Sequence, residues 1–182
     1  MPNYPIHTIA SAPEGSKSAL EQLRQAFGLL PNIAAAVANS PKLVNSLVGV
    51  FQQVHSSSLT EPEVQIVLLT DAVANSSTYA VAFHTALALQ QGVDSKETDA
   101  IREGSVPTGK RFAALSALAR TLIEKRGHLS DQELDSFLAA GFTKEQILEV
   151  IAIVAASTIT NYAGTIANPP LEDRYQQFAW RG

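Results

Sequence analysis

Signals that start helices recur along the whole chain, and they constrain its fold more than any other feature. Thr60-Glu61-Pro62-Glu63 and Thr143-Lys144-Glu145-Gln146 each place a capping hydroxyl three residues ahead of a Glu or Gln that can reach back to the same turn. Ser40-Pro41 sets an N-cap before a proline at the first helical position, where its missing N–H costs nothing. After each signal, apolar residues follow at three- and four-residue spacing, and alternating strand-like patterns are nearly absent. The chain is predicted to be all-α, with about eight helices.

These signals divide the sequence. A first helix is expected from Ser16 to Gly28 with Leu20, Leu23 and Phe27 on one face, and a short one after Pro31. The Ser40-Pro41 helix carries Leu43, Leu47, Val50, Phe51 and Val54 and ends in the polar run His55 to Ser58. The Thr60 helix stops near Asn75, and a second apolar helix through Tyr79, Phe83, Ala86 and Leu87 ends at Gly92. Short or medium helices then start at Asp94 or Ser95, at Thr108 and at Ser130. The segment Ile147 to Ala156 is apolar on nearly every face, which predicts a central core or subunit-interface helix. Asn168-Pro169-Pro170 breaks the chain before a terminal amphipathic helix with Leu171, Tyr175 and Phe178. Val67, Ala72, Tyr79 and Ala80 recur at one constant offset as Val150, Ala155, Tyr162 and Ala163, which raises the expectation of a duplicated helix-break-helix unit.

Composition narrows the function classes. At 182 residues, one domain over 1–182 is expected, with residues 1–15 as an extended N-terminal arm. A net charge of -4 without a basic cluster argues against nucleic-acid binding. The longest apolar run, Val150 to Ala156, is far shorter than the ~20 residues of a membrane span, so no membrane partner is expected. The N-terminus lacks a secretory pattern and cysteine is absent, so a cytoplasmic location is expected and a disulfide framework is excluded. No His/Asp/Glu set has metal-ligand spacing, and no Gly-rich phosphate loop is present.

The stretch from Leu59 to Ala88, with Leu30-Pro31-Asn32-Ile33, Asn39-Ser40-Pro41, Asn161-Tyr162 and Asn168-Pro169-Pro170-Leu171 around it, resembles the carboxymuconolactone decarboxylase and AhpD-like alkylhydroperoxidase superfamily over roughly residues 29–180. The resemblance implies the AhpD-like helical fold and a homo-oligomer, a dimer, trimer or hexamer. Redox members of that superfamily carry C-x-x-C-x-x-x-H at the start of the second core helix and an acidic residue in the helix before it. Here the matching positions read Ser77, Ala80 and His84, and the acidic position falls on Gln65, with Glu63 close by. Both sulfurs are missing and the histidine is kept.

That departure has chemical consequences. In the family motif a thiolate sits at a positive helix N-terminus, where a histidine one turn later can exchange its proton. Ala80 occupies that position here, and a methyl group cannot attack a peroxide. Ser77 lies seven residues before His84, about 10 Å along a helix, so it suits a cap better than a nucleophile. Thiol peroxidase activity is therefore not expected of this chain.

The candidate catalytic residues are His84 and Glu63, and Gln65, Ser77, Tyr79 and Ala80 make up the pocket or the degenerate motif. Each also has a plain structural reading: a buried hydrogen-bonded histidine, a capping-box glutamate, a core tyrosine with its hydroxyl satisfied. His7, His55 and His128 sit in loops or polar ends and are expected to be solvated. Three functions stay open. The first is thiol-free decarboxylase- or isomerase-like chemistry on a small organic molecule, the second a hydroperoxidase inactive without its cysteines, and the third a non-enzymatic helical oligomer or binding module. The resemblance implies no cofactor, since the family's redox members use their cysteines with an external reductant and its decarboxylases need neither.

Overall fold

The computed structural model describes residues 4–182 and has helices where the capping signals put them. Nine α-helices are present among these residues: α1 (Lys17–Phe27), α2 (Asn32–Val37), α3 (Pro41–Val54), α4 (Glu61–Ala74), α5 (Thr78–Gln90), α6 (Ser95–Arg102), α7 (Lys110–Glu124), α8 (Asp131–Ala139) and α9 (Lys144–Ala167). A 3₁₀ turn, Glu14–Ser16, precedes α1. Capping boxes open α4, α8 and α9, with Thr60, Ser130 and Thr143 as the N-caps. Residues 4–13 pass α2, where the His7 N–H donates to the Ala35 carbonyl and the His7 ring bonds Asn39. The first three residues of the expected arm, 1–3, lie outside the described residues.

Helix α4 is the centre. Every residue from Glu63 to Ala72 is buried, against α5 on one side and α7 and α9 on others. Helix α5 divides two apolar clusters. Ala80, Val81 and Ala88 join α4, α7, α8 and α9, while Tyr79, Phe83 and Ala86 join α1, α2, α3 and Tyr175. A residue on α5 between these faces is far from bulk water yet close to whatever gap the two clusters leave.

Four expectations change. Helix α9 is continuous over 24 residues, so the second copy of the suspected helix-break-helix repeat has no break, and Val150, Ala155, Tyr162 and Ala163 all lie within one helix. Asn168 ends it in the left-handed conformation, φ 45°, which asparagine tolerates well. Continuity also makes α9 long and apolar enough to cross a membrane by length and composition, which the short run Val150 to Ala156 did not suggest. Its buried Ser157 and Asn161 face protein here, Asn161 donating to Asp71 on α4 at 2.8 Å.

Helix α9 is also not buried all round: Leu148, Ile151, Tyr162 and Ile166 are exposed. The terminal segment, finally, is a 3₁₀ helix, Asp173–Phe178, instead of an amphipathic α-helix. It is tied at both ends. Glu172 accepts from Tyr79, and Arg102 donates to the Phe178 and Ala179 carbonyls. A 3₁₀ helix rises ~2.0 Å per residue against ~1.5 Å for an α-helix, so a short segment reaches further between two anchors. Tyr175 fills the core beneath it, edge-on to Phe83 at 5.2 Å.

Candidate functional site

His84 sits on α5 between the two apolar clusters, 4% exposed. Its Nδ1 lies 3.1 Å from Oε1 of Gln65, one helix away on α4. The amide of Gln65 has only one consistent orientation. Its Nε2 donates at 2.8 Å to a carboxylate oxygen of Glu61, which can only accept, so Oε1 must accept from His84. His84 therefore carries its proton on Nδ1 and turns an Nε2 lone pair to the other side. Burial, together with the charge of His55, pushes its pKa down to about 3, so the ring is neutral near pH 7 and serves as an acceptor.

The chain of bonds continues outward. The other oxygen of Glu61 lies 3.0 Å from Nδ1 of His55, at the C-terminal end of α3, and this bond holds the Glu61 carboxyl below its ordinary pKa. His84, Gln65, Glu61 and His55 thus form one line from the core to the surface. Its outer three members open onto a cleft of about 450 Å³ between α1, α3, α4 and α5, floored by Phe27, Phe51 and Leu87 and edged by Arg174. Its inner end borders a cavity of about 40 Å³ lined by His84, Ala80, Tyr79, Phe83, Ile33 and Leu47. Leu23, Phe27 and Phe51 line both spaces and form the partition between them.

The six residues singled out from sequence divide accordingly. Gln65 and His84 are bonded, and Ala80 and Tyr79 share the small cavity with His84. The Tyr79 hydroxyl does not act on that cavity, because it donates to Glu172 at 2.8 Å while accepting from the Ile33 N–H. Burial, then the neighbouring Glu172 charge, raises its pKa and keeps it protonated.

Glu63 is not brought to His84. One oxygen accepts from the Thr60 N–H, closing the capping box, and the other pairs with Arg111 at 2.6 Å. Burial works against its charge, but Arg111 and Thr60 outweigh it and hold the pKa low. Glu63 is a cap and an ion-pair partner. Ser77 is the N-cap residue of α5, yet its side chain makes no capping bond and faces a different cleft from Ala80.

Sequence reading missed His55 and Glu61. His55 is half-exposed as expected, but it is held by a carboxylate at the mouth of the cleft. The signal was available: the three partners Glu61, Gln65 and His84 begin with an i, i+4 pair on one helix. What spacing could not give is the approach of α3's end to α4's start. Among the described residues no cluster of His, Asp and Glu can hold a metal ion.

No protein-family model and no curated protein matches the sequence. Solved structures do. An uncharacterised peroxidase-related protein with an alkylhydroperoxidase AhpD core, from Ralstonia eutropha JMP134, superposes with a TM-score of 0.83 at 18% identity, over 95% of this chain and 93% of that one. The debrominase Bmp8, as a Cys-to-Ala variant in complex with 2,3,4-tribromopyrrole, gives a TM-score of 0.80 at 16% identity over 98% and 96% of the chains. A peroxidase-related protein from Silicibacter sp. TM1040 gives 0.78 at 15% identity over 97% and 94%.

The chain thus has the AhpD-like helical fold, along almost its whole length, in a cysteine-free form. At these identities the likeness defines the fold, and the reaction has to be argued from this chain's own site.

Proposed function

We propose that this protein binds a small organic molecule in the cleft between α1, α3, α4 and α5 and acts on it without a thiol, by proton transfer of a decarboxylase or isomerase kind. The observation that carries this reading is the hydrogen-bonded line His55–Glu61–Gln65–His84, which ends in a cleft of ligand size. Glu61 orients His55 so that its Nε2 can take or return a proton at the cleft mouth. Gln65 and the neutral His84 fix Glu61 from behind. A ligand with an apolar body would lie on Phe27, Phe51 and Leu87. The bound tribromopyrrole of Bmp8, a small ring held by the same fold, supports that class of ligand.

The test is a ligand-observed NMR screen of small lactones, cyclic acids and heteroaromatic rings, with the His55 side-chain nitrogens followed in parallel. Hits that shift His55 and are converted by the native chain but not by His55→Gln are expected. If no compound perturbs His55 or Gln65, the cleft is not a ligand site.

One observation favours a second reading, a hydroperoxidase that lacks its thiols. Ala80 shares the cavity with His84, one turn before it, so a sulfur there would stand in the same enclosed space as the imidazole. Ser77→Cys with Ala80→Cys, assayed with an organic hydroperoxide and a thiol reductant, turns over under this reading and stays silent under the first.

A homo-oligomer forms part of the same proposal. From Val150 to Ala167 helix α9 carries no charged residue, and its exposed face offers Ile151, Tyr162 and Ile166 to a second copy.

A further inference from the structure

A second cleft lies away from the His55 line, where α5 begins and α9 ends. Its volume is about 660 Å³, and its walls come from Ser76, Ser77 and Thr78, from Gly164 and Asn168, and from the chain end through Trp180 and Arg181. Three facts about it agree.

Helix α5 is 13 residues long and starts uncapped. The N–H groups of Thr78, Tyr79 and Ala80 find no acceptor among the described residues, and the Ser77 side chain does not bond back to them. These donors carry the positive end of the helix dipole. Ser77 itself is 3% exposed, and its hydroxyl makes no hydrogen bond among the described residues although it lines the cleft. Gly164 leaves it uncovered, since a Cβ built on that glycine would stand 3.9 Å from the Ser77 Oγ. The hydroxyl opens onto the cleft instead of being sealed in the core, so a ligand there can take up its hydrogen bond.

The third fact is charge. No Asp or Glu lines this cleft, whereas Arg181 does, and Arg181 has no ion pair among the described residues. Helix N–H groups, hydroxyls and a guanidinium fork together call for an acceptor with several oxygens, more than one carboxylate supplies.

We propose that this cleft is a binding site for a phosphate group, free or carried as a monoester. The phosphate sits at the start of α5 on the Thr78 and Tyr79 N–H groups and the Ser77 hydroxyl, with Arg181 closing over it. An ester's substituent lies towards Trp180, Pro170 and Leu171, for which the volume leaves room. The site is separate from the proton line, and neither proposal depends on the other.

Sodium phosphate and phenyl phosphate, each titrated at constant ionic strength, test it. Backbone amide shifts of Thr78 and Tyr79 report the phosphate, and fluorescence of Trp180, the only tryptophan, reports the substituent. Saturable downfield shifts of both amides are expected. Arg181→Gln, an exposed change at the chain end, should weaken binding about ten-fold, the scale of a lost charge-assisted bond, and Ser77→Ala less. Tighter binding of phenyl phosphate with a Trp180 response assigns the site to an ester; equal binding assigns it to free phosphate. Absence of saturable shifts with both compounds, equal shifts from chloride, or unchanged affinity in Arg181→Gln would each overturn the proposal.

Discussion

Helices α4 and α5 and helix α9 look alike as sequence: each is apolar on nearly every face, with a few polar residues set among alanines, valines and isoleucines. The fold treats them differently. Helices α4 and α5 are enclosed by their own chain, and their polar residues Gln65, Asp71 and His84 have partners. Helix α9 turns one face to α4, α3 and α7 and leaves Leu148, Ile151, Tyr162 and Ile166 outside. An apolar circumference therefore announces burial without saying by what; in the homo-oligomer proposed above, a second copy would cover the part of α9 that its own chain leaves open.

Substitutions at the two regions sharpen this contrast. Leu68→Ala, at a fully buried site on α4, should cost about 2–5 kcal/mol in denaturant unfolding through lost contacts and the cavity left behind. Tyr79→Phe removes the hydroxyl bonded to Glu172 and should cost about 1.5–3 kcal/mol, the scale of a bond to a charged group. Limited proteolysis near Asn168 should speed up in parallel, because the terminal 3₁₀ segment loses one of its anchors. If Leu68→Ala were as mild as a change on α9's outer face, the contrast would fail.

Acidity separates two buried groups of the same core. His84 is held down from 6.5 to about 3, so the unfolded chain takes up a proton that the folded chain refuses, and its contribution is full above pH 6.5 and lost as the pH falls. Asp71 is raised from 3.8 to about 6 by burial, against the pull of Ser157, Asn75 and Asn161, so its contribution is full below 3.8 and lost as the pH rises through 6. The two oppose each other between these limits, each by at most roughly 1.4 kcal/mol per pH unit. His84→Gln should therefore gain stability on acidification from about pH 6 to about pH 4, and Asp71→Asn should lose it, as read by thermal unfolding across that range.

The smallest effect on the single chain belongs to α9. Ile151→Glu with Ile166→Glu should change monomer stability by less than about 0.5 kcal/mol, as exposed substitutions usually do, while sedimentation shows the assembly coming apart. An unchanged sedimentation profile would leave the exposed face without a second copy to explain it.

Much of this molecule is legible in its sequence. The capping hydroxyls of Thr60, Ser130 and Thr143 fixed helix starts because a cap is a local event, settled within four residues. The absence of cysteine, at Ser77 and Ala80 as everywhere else, ruled out thiol chemistry outright, since reactivity of that kind belongs to an element. Gln65 and His84 were also found, and the structure joins them.

What tertiary structure alone decided is where distant residues meet. His55, expected to be solvated, is half-exposed but meets Glu61 because the end of α3 comes up to the start of α4, and Glu63, a candidate catalytic residue or a capping-box glutamate by sequence, closes its capping box and gains Arg111 from α7 as an ion-pair partner. Ser77, the N-cap residue of α5, and Ala80, three residues on, face two separate clefts. Local hydrogen-bonding preference and residue chemistry are written along the chain; which donor faces which acceptor depends on how the helices pack, and burial, which sets the charge of His84 and Asp71, exists only once they have.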